Sequence, residues 1–172
     1  MKLLLMILFI NIVVAGQAQQ SSFRKKIDSI CKSIDKDVQL KKKTYAQEEF
    51  MDHITDEGGE LIIFYKDNTI HRIKEWVGLS YGVIIRNYYF RNKELLFVKE
   101  EEYRYETDEI KGINKEKLSK EDLFVGKYYF KKDKLVDAET LGHNRFEDEN
   151  NDAESEYLFL AKKHLALFLK KK

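Results

Sequence analysis

Three stretches of the chain, IFYKDNTIHRI at residues 63–73, YYFRNKELLFV at 88–98 and YYFKKDKLVDA at 128–138, align on Tyr65, Phe90 and Phe130 and decide how the rest is read. In each, an aromatic-rich run meets a short polar turn, and a second apolar run opens near Ile70, Leu95 or Leu135. The turns carry Asp67-Asn68, Asn92-Lys93 and Lys132-Asp133. Asn and Asp tolerate left-handed backbone, and the flanking residues prefer strands, so each copy predicts a tight hairpin. Three copies predict six strands. The first two copies lie 25 residues apart and the last two 40 apart, leaving about fifteen additional residues between Glu106 and Asp122. This polar insert holds Gly112 and the helix-start pattern Ser119-Lys-Glu-Asp122, and is expected to be a loop with at most one or two helical turns. The complete absence of proline suits strands that pair along both edges.

Outward from the hairpins, both ends of the chain read as helix. From Ser21 to about Lys43, Phe23, Ile27, Ile30, Ile34 and Val38 recur at helical spacing on one stripe, with Lys, Asp and Gln opposite. Such a helix lies on a core or on a partner. At the other end, Asn151 with Glu154 three residues later suits a capping box ahead of an apolar run from Tyr157 to Leu169. That run is apolar around most of its circumference, which predicts deep burial against the sheet. Lys170 to Lys172 complement the helix dipole.

The repeated [YF]-[YF]-F, turn, [KE]-L pattern and the EGGEL lead-in at Glu57 to Leu61 resemble a group of small, uncharacterised exported bacterial proteins. The hairpins are also loosely similar to MORN-like repeats, in which successive hairpins stack into an extended sheet that binds protein or lipid. The glycines that open each MORN unit are missing here.

The first eighteen residues, MKLLLMILFINIVVAGQA, read as a secretory leader: Lys2 precedes an apolar run from Leu3 to Val14, and Gly16 and Ala18 stand at the −3 and −1 positions. Cleavage between Ala18 and Gln19 is expected, leaving 19–172 as a single α+β domain in the periplasm or outside the cell. The apolar run is shorter than the ~18 to 20 residues a membrane span needs, so no span is expected after leader removal. Without Lys2, basic and acidic side chains balance at 30 each. That balance argues against nucleic acid as a partner. At 43% hydrophobic content the chain can bury a core without disulfides. The lone Cys31 flanks the apolar stripe of the first helix and is expected to be partly buried.

Catalytic, cofactor and metal motifs are absent. Asp148, Asn150, Asp152 and Glu154 alternate as in a calcium loop, but Ala153 and Phe159 occupy the places of its obligatory Gly and Glu. His53, His71, His143 and His164 show no paired-ligand spacing. No nucleophile elbow, phosphate-cradling glycine loop or CxxC occurs. Carboxylates are plentiful, and no spacing selects a glycosidase-type pair.

Aromatics make up 13% of the chain and concentrate in the strands. Alternation places Tyr81, Val83, Ile85 and Tyr89 on one face of a strand and Ile84, Tyr88 and Phe90 on the other. Terminal helices can cover one face. The other is either packed or presented to a ligand, and Tyr81, Tyr89, Tyr103 and Tyr105 are its candidate binding residues. The expectation is therefore an α+β fold, a six-stranded antiparallel meander of three hairpins flanked by an N-terminal and a C-terminal helix. Its expected role is a non-catalytic binding or interaction protein, taking an envelope protein or a small ligand. The alternatives are an inhibitor or immunity-type protein against a secreted enzyme or toxin, and an enzyme with an unrecognised carboxylate site.

Overall fold

A computed structural model describes residues 20–108, 112–142, 146 and 152–170. The leader and its Ala18–Gln19 junction, His143, Asp148, Asn150 and Asn151 lie outside the described residues. The chain divides into two compact units, Met1–Asp37 and Val38–Lys172.

In the first unit, helix α1 spans 20–36, with Ile27 and Cys31 buried. It ends earlier than the apolar spacing predicts. The amide of Asp37 bonds the carbonyl of Ile34 in a tight final turn, and Val38 is 96% exposed. Asp35 and Asp37 at the negative end of the helix dipole oppose its continuation. Lys41 to Lys43, expected in this helix, open a strand instead.

The second unit is a seven-stranded antiparallel sheet in simple sequential order, one strand more than the repeat predicts. The strands are β1 Lys41–Ala46, β2 Gly59–Lys66, β3 Thr69–Leu79, β4 Gly82–Arg91, β5 Glu94–Asp108, β6 Gly112–Lys131 and β7 Lys134–Leu141. A single turn of helix, α2 Gln47–Phe50, follows β1, and α3 Ala153–Lys170 closes the chain. The unforeseen strand is β1, which pairs with β2 from Lys41↔Tyr65 to Ala46↔Glu60.

The three repeats form β2–β3, β4–β5 and β6–β7. Both central residues of every turn have positive φ: Asp67 48° and Asn68 62°, Asn92 53° and Lys93 68°, Lys132 52° and Asp133 55°. These are the left-handed pairs that match the twist of two-residue hairpins. Tyr65, Phe90 and Phe130 pair with Ile70, Leu95 and Leu135 just outside the turns. Immediately beyond, each hairpin slips by one residue, so that His71, Leu96 and Val136 are bulged. The bulge re-aims the second strand. It lets Ile70 and Ile73, or Leu95 and Val98, reach the same core.

The insert is strand, not loop. β5 continues to Asp108 and β6 begins at Gly112, pairing Thr107↔Ile113 and Glu106↔Asn114. Tyr103, Tyr105 and Thr107 favour strand geometry and recruit this polar stretch as their partner. The pairing shifts register twice: between Tyr103↔Leu123 and Tyr105↔Leu118 β5 advances two residues and β6 five, and between Tyr105↔Leu118 and Glu106↔Asn114 β5 advances one and β6 four.

Helix α3 packs on one sheet face through Tyr157, Ala161, His164 and Phe168, spaced four, three and four apart. They meet Tyr88, Tyr128, Phe130, Ile63 and Phe50 in one core. Its burial is one-sided, contrary to expectation, since Phe159 and Leu169 are 63% and 62% exposed. Its cap is Asp152, not Asn151: Asp152 Oδ1 accepts the Ser155 amide at 2.8 Å and Oδ2 accepts the Ser155 hydroxyl at 2.8 Å. Glu154 instead accepts the outward amide of Leu135 at 2.7 Å and the Lys134 ammonium at 3.0 Å, closing part of the β7 edge. Of the calcium-like run, Asp152 thus caps the helix and Glu154 ties it to β7.

Candidate functional site

The four nominated tyrosines do not form one exposed patch. Tyr89 and Tyr105 are buried, Tyr103 is half-buried, and Tyr81 is 47% exposed. Tyr89 belongs to a row running across five strands on the face away from α3. Arg72 lies 5.0 Å from the Phe64 ring centre and 5.6 Å from that of Tyr89, followed by Tyr89 against Phe97 at 5.8 Å and Phe97 against Tyr129 at 4.9 Å. The Arg72 guanidinium also donates to Asn87 Oδ1 at 2.7 and 3.2 Å. Tyr89, Phe97 and Tyr129 are all buried and in ring contact along the row, so Tyr89 is a packing residue.

The other three nominees gather at one end of the sheet. Tyr81 is not in β4 but in the turn before it, and its carbonyl accepts the Tyr105 amide at 2.9 Å. β4 starts at Gly82 opposite Arg104, and β7 stops at Leu141 opposite Val125. Beyond those limits β5 and β6 continue as a hairpin that neither neighbour follows. Gly82 permits the approach of β4 to β5, since a Cβ there would lie 2.1 Å from the Tyr103 carbonyl oxygen. On this end Tyr81, Ile113 and Leu118 are exposed, and the Arg104 guanidinium sits 5.9 Å from the Tyr81 ring centre. Lys115 pairs with Glu57, tying the hairpin to the segment ahead of β2. Tyr103 donates to Glu101 Oε1 at 3.1 Å, and Lys99 pairs with the same oxygen at 2.8 Å.

A second polar constellation, unforeseen in the sequence, lies beneath α3. Glu75, Arg86 and Glu100 stand directly opposite one another on β3, β4 and β5. All three are buried, Glu100 completely. Arg86 Nε donates to Glu100 and its Nη1 lies 3.4 Å from Glu75 Oε2, which also accepts the Tyr88 hydroxyl at 3.0 Å. His164 of α3 reaches down to 3.7 Å from the same oxygen. Neither of its ring nitrogens has a hydrogen-bond partner among the described residues. Gly126 pairs with Glu100, and the space left by its missing side chain is filled by the Tyr128 ring, which a Cβ would meet at 2.5 Å.

Burial pushes the Glu75 carboxyl up, but the Arg86 guanidinium, His164 and the Tyr88 hydroxyl outweigh it and hold the group down at about 2. Burial alone would lower Arg86, yet Glu75 and Glu100 drive it well above the usual guanidinium value. Burial and the Glu75 charge raise the Tyr88 phenol well above its ordinary range. The chemistry of this cluster is that of a fixed ion triad: Glu75 stays ionised and has no proton to give as a general acid. Among the described residues no group of three His, Cys, Asp or Glu is arranged to hold a metal ion.

No protein-family model, curated protein or solved structure matches the chain.

Proposed function

We propose that the chain is a non-catalytic interaction protein of the cell envelope or its exterior, and that it engages its partner with the projecting end of β5–β6 and the neighbouring Tyr81. One observation carries this reading: Tyr81, Ile113 and Leu118, all from this end of the sheet, are each exposed and Arg104 lies over the Tyr81 ring, while the aromatics at the centre of the sheet are buried. Tyr and Arg flanked by aliphatics are the side chains that dominate binding energy at protein interfaces. Export follows from the leader, and the hairpin repeats are of the kind that present an extended sheet to a partner.

The inhibitor or immunity-type reading is the second, and the projecting hairpin favours it. A two-stranded extension, its β6 arm held near the tip by Lys115 and Glu57, has a form that enters a cleft in another protein. The carboxylate-enzyme reading is weaker, because Glu75 and Glu100 are sealed under α3 and Glu75 is held far below the range of a working acid.

Capture from envelope extracts tests the proposal. The mature protein should retain a partner that a Tyr81→Ala, Arg104→Ala double variant loses by at least about ten-fold, at the scale of interface hot spots, with its melting temperature unchanged. Equal capture by both proteins would move the site elsewhere.

A further inference from the structure

Helix α3 spends its inward stripe on the core, and its outward stripe is chemically distinctive. The exposed positions are Ser155, Phe159, Lys162, Ala166, Leu169 and Lys170. They include two large apolar side chains, two lysines and no acid. Phe159 and Leu169 are separated by ten residues, about 15 Å along the axis. Neither contributes to the core, and both stand on the outermost ridge of the layer covering the sheet.

Lysines gather at the C-terminal half of this ridge, where Lys162 and Lys170 are exposed on the helix itself. Lys43 Nζ lies 5.7 Å from the ring centre of Phe168, which brings β1 beside the last turn of α3. Lys41, two residues away on the same face of that strand, is exposed, whereas Lys42 lies over the Phe64 ring on the opposite face. Three acids close to the helix are engaged elsewhere. Asp52 pairs with Lys163 at 2.7 Å, Asp152 caps the helix, and Glu154 holds Lys134 and the β7 edge.

We propose that the outward ridge of α3, with Lys41 and Lys43 of β1, is a docking surface for an anionic lipid bilayer. Lysines flanking exposed Phe and Leu on one helix are the composition that lets a helix rest in a headgroup layer, the apolar side chains entering the acyl boundary and the ammonium groups meeting lipid phosphates. No helix of the described residues is long and apolar enough to cross a membrane, so the association is peripheral. A partner protein would need a contiguous apolar patch, whereas Lys162 and Ala166 lie between Phe159 and Leu169. A fluid interface needs no such continuity.

Co-sedimentation of the mature protein with vesicles tests this, using pure phosphatidylcholine against an equal mixture with phosphatidylglycerol. The bound fraction should rise about five-fold or more with the anionic lipid and fall again in 0.5 M salt, roughly one Debye length being ~4 Å there. Phe159→Ser with Leu169→Ser, and separately Lys162→Glu with Lys170→Glu, should each lower binding by about five-fold or more while the melting temperature stays that of the parent. Both pairs are exposed, so the variants retain the fold. Equal sedimentation with the two lipids, or unimpaired binding by the variants, overturns the proposal. So does light scattering that finds a dimer which the Phe159→Ser, Leu169→Ser variant converts to monomer, or an acidic protein retained through this ridge without vesicle binding.

Discussion

Arg86 is the residue on which most depends, because it alone stands between two carboxylates that the core has removed from water. Arg86→Met would leave both acids uncompensated, and a loss of about 3 to 5 kcal/mol is expected in urea unfolding. Glu75 supplies a pH signature with a definite sign. Its folded value of about 2 lies below the ordinary glutamate value of 4.5, so its contribution is present above pH 4.5 and drains away as pH falls toward 2. Glu75→Gln should flatten the unfolding midpoint across that window, where the native protein loses on the order of 3 kcal/mol from this group. Tyrosines divide just as sharply. Tyr89→Ala, which empties a place in the aromatic row, should cost ~3 to 5 kcal/mol, and Tyr81→Ala only ~0.5 kcal/mol, as read by the same unfolding curves. Neither the triad nor this division was legible beforehand. With 31 basic and 30 acidic side chains, nothing in the sequence marks Glu75, Arg86 and Glu100 as the ones that cross-strand register aligns. Where a strand is apolar on both faces, as β4 is, alternation tells which residues share a face without telling which face is covered.

The hairpins were legible because aromatic runs around Asn and Asp leave few alternatives, and Tyr65, Phe90 and Phe130 fall where the repeat places them. The bulges at His71, Leu96 and Val136 were not, since a bulge depends on partner register. β1 was hidden for a compositional reason: Lys41 to Lys43 look like the polar end of α1, yet as a sheet edge lysines are well suited because they discourage pairing with another chain. The turns invite a direct test. Lys93 has φ 68°, a conformation costing a side chain ~1 to 2 kcal/mol, against ~0.5 to 1 kcal/mol for the added freedom of glycine. Lys93→Gly should therefore raise stability by about 0.5 to 1 kcal/mol, measurable as a higher urea midpoint. Asp152→Ala removes both cap bonds to Ser155 and should cost ~0.5 to 2 kcal/mol.

For the whole molecule, the leader predicts a mature N-terminus at Gln19, read by N-terminal sequencing of protein recovered from the periplasm or medium; intact Met1 on membrane-bound protein would contradict it. The sheet order carries a different consequence, for how the chain comes to be folded. Because β1 to β7 pair only with their neighbours in sequence, no strand waits for a distant partner, and each two-residue hairpin can close locally in ~1 to 10 μs. The exception is α3, whose Lys163 joins Asp52 across a sequence separation of 111 and whose Phe168 meets Tyr65. The sheet thus zips early and is sealed late. Until residues 153–170 have been synthesised, Tyr88, Phe90, Tyr128 and Phe130 face outward with no cover, so α3, made after every strand it covers, sets the interval during which the nascent protein is sticky. A chain that ends before α3 would keep that interval open, handing a chaperone or an aggregate the face that the finished molecule conceals.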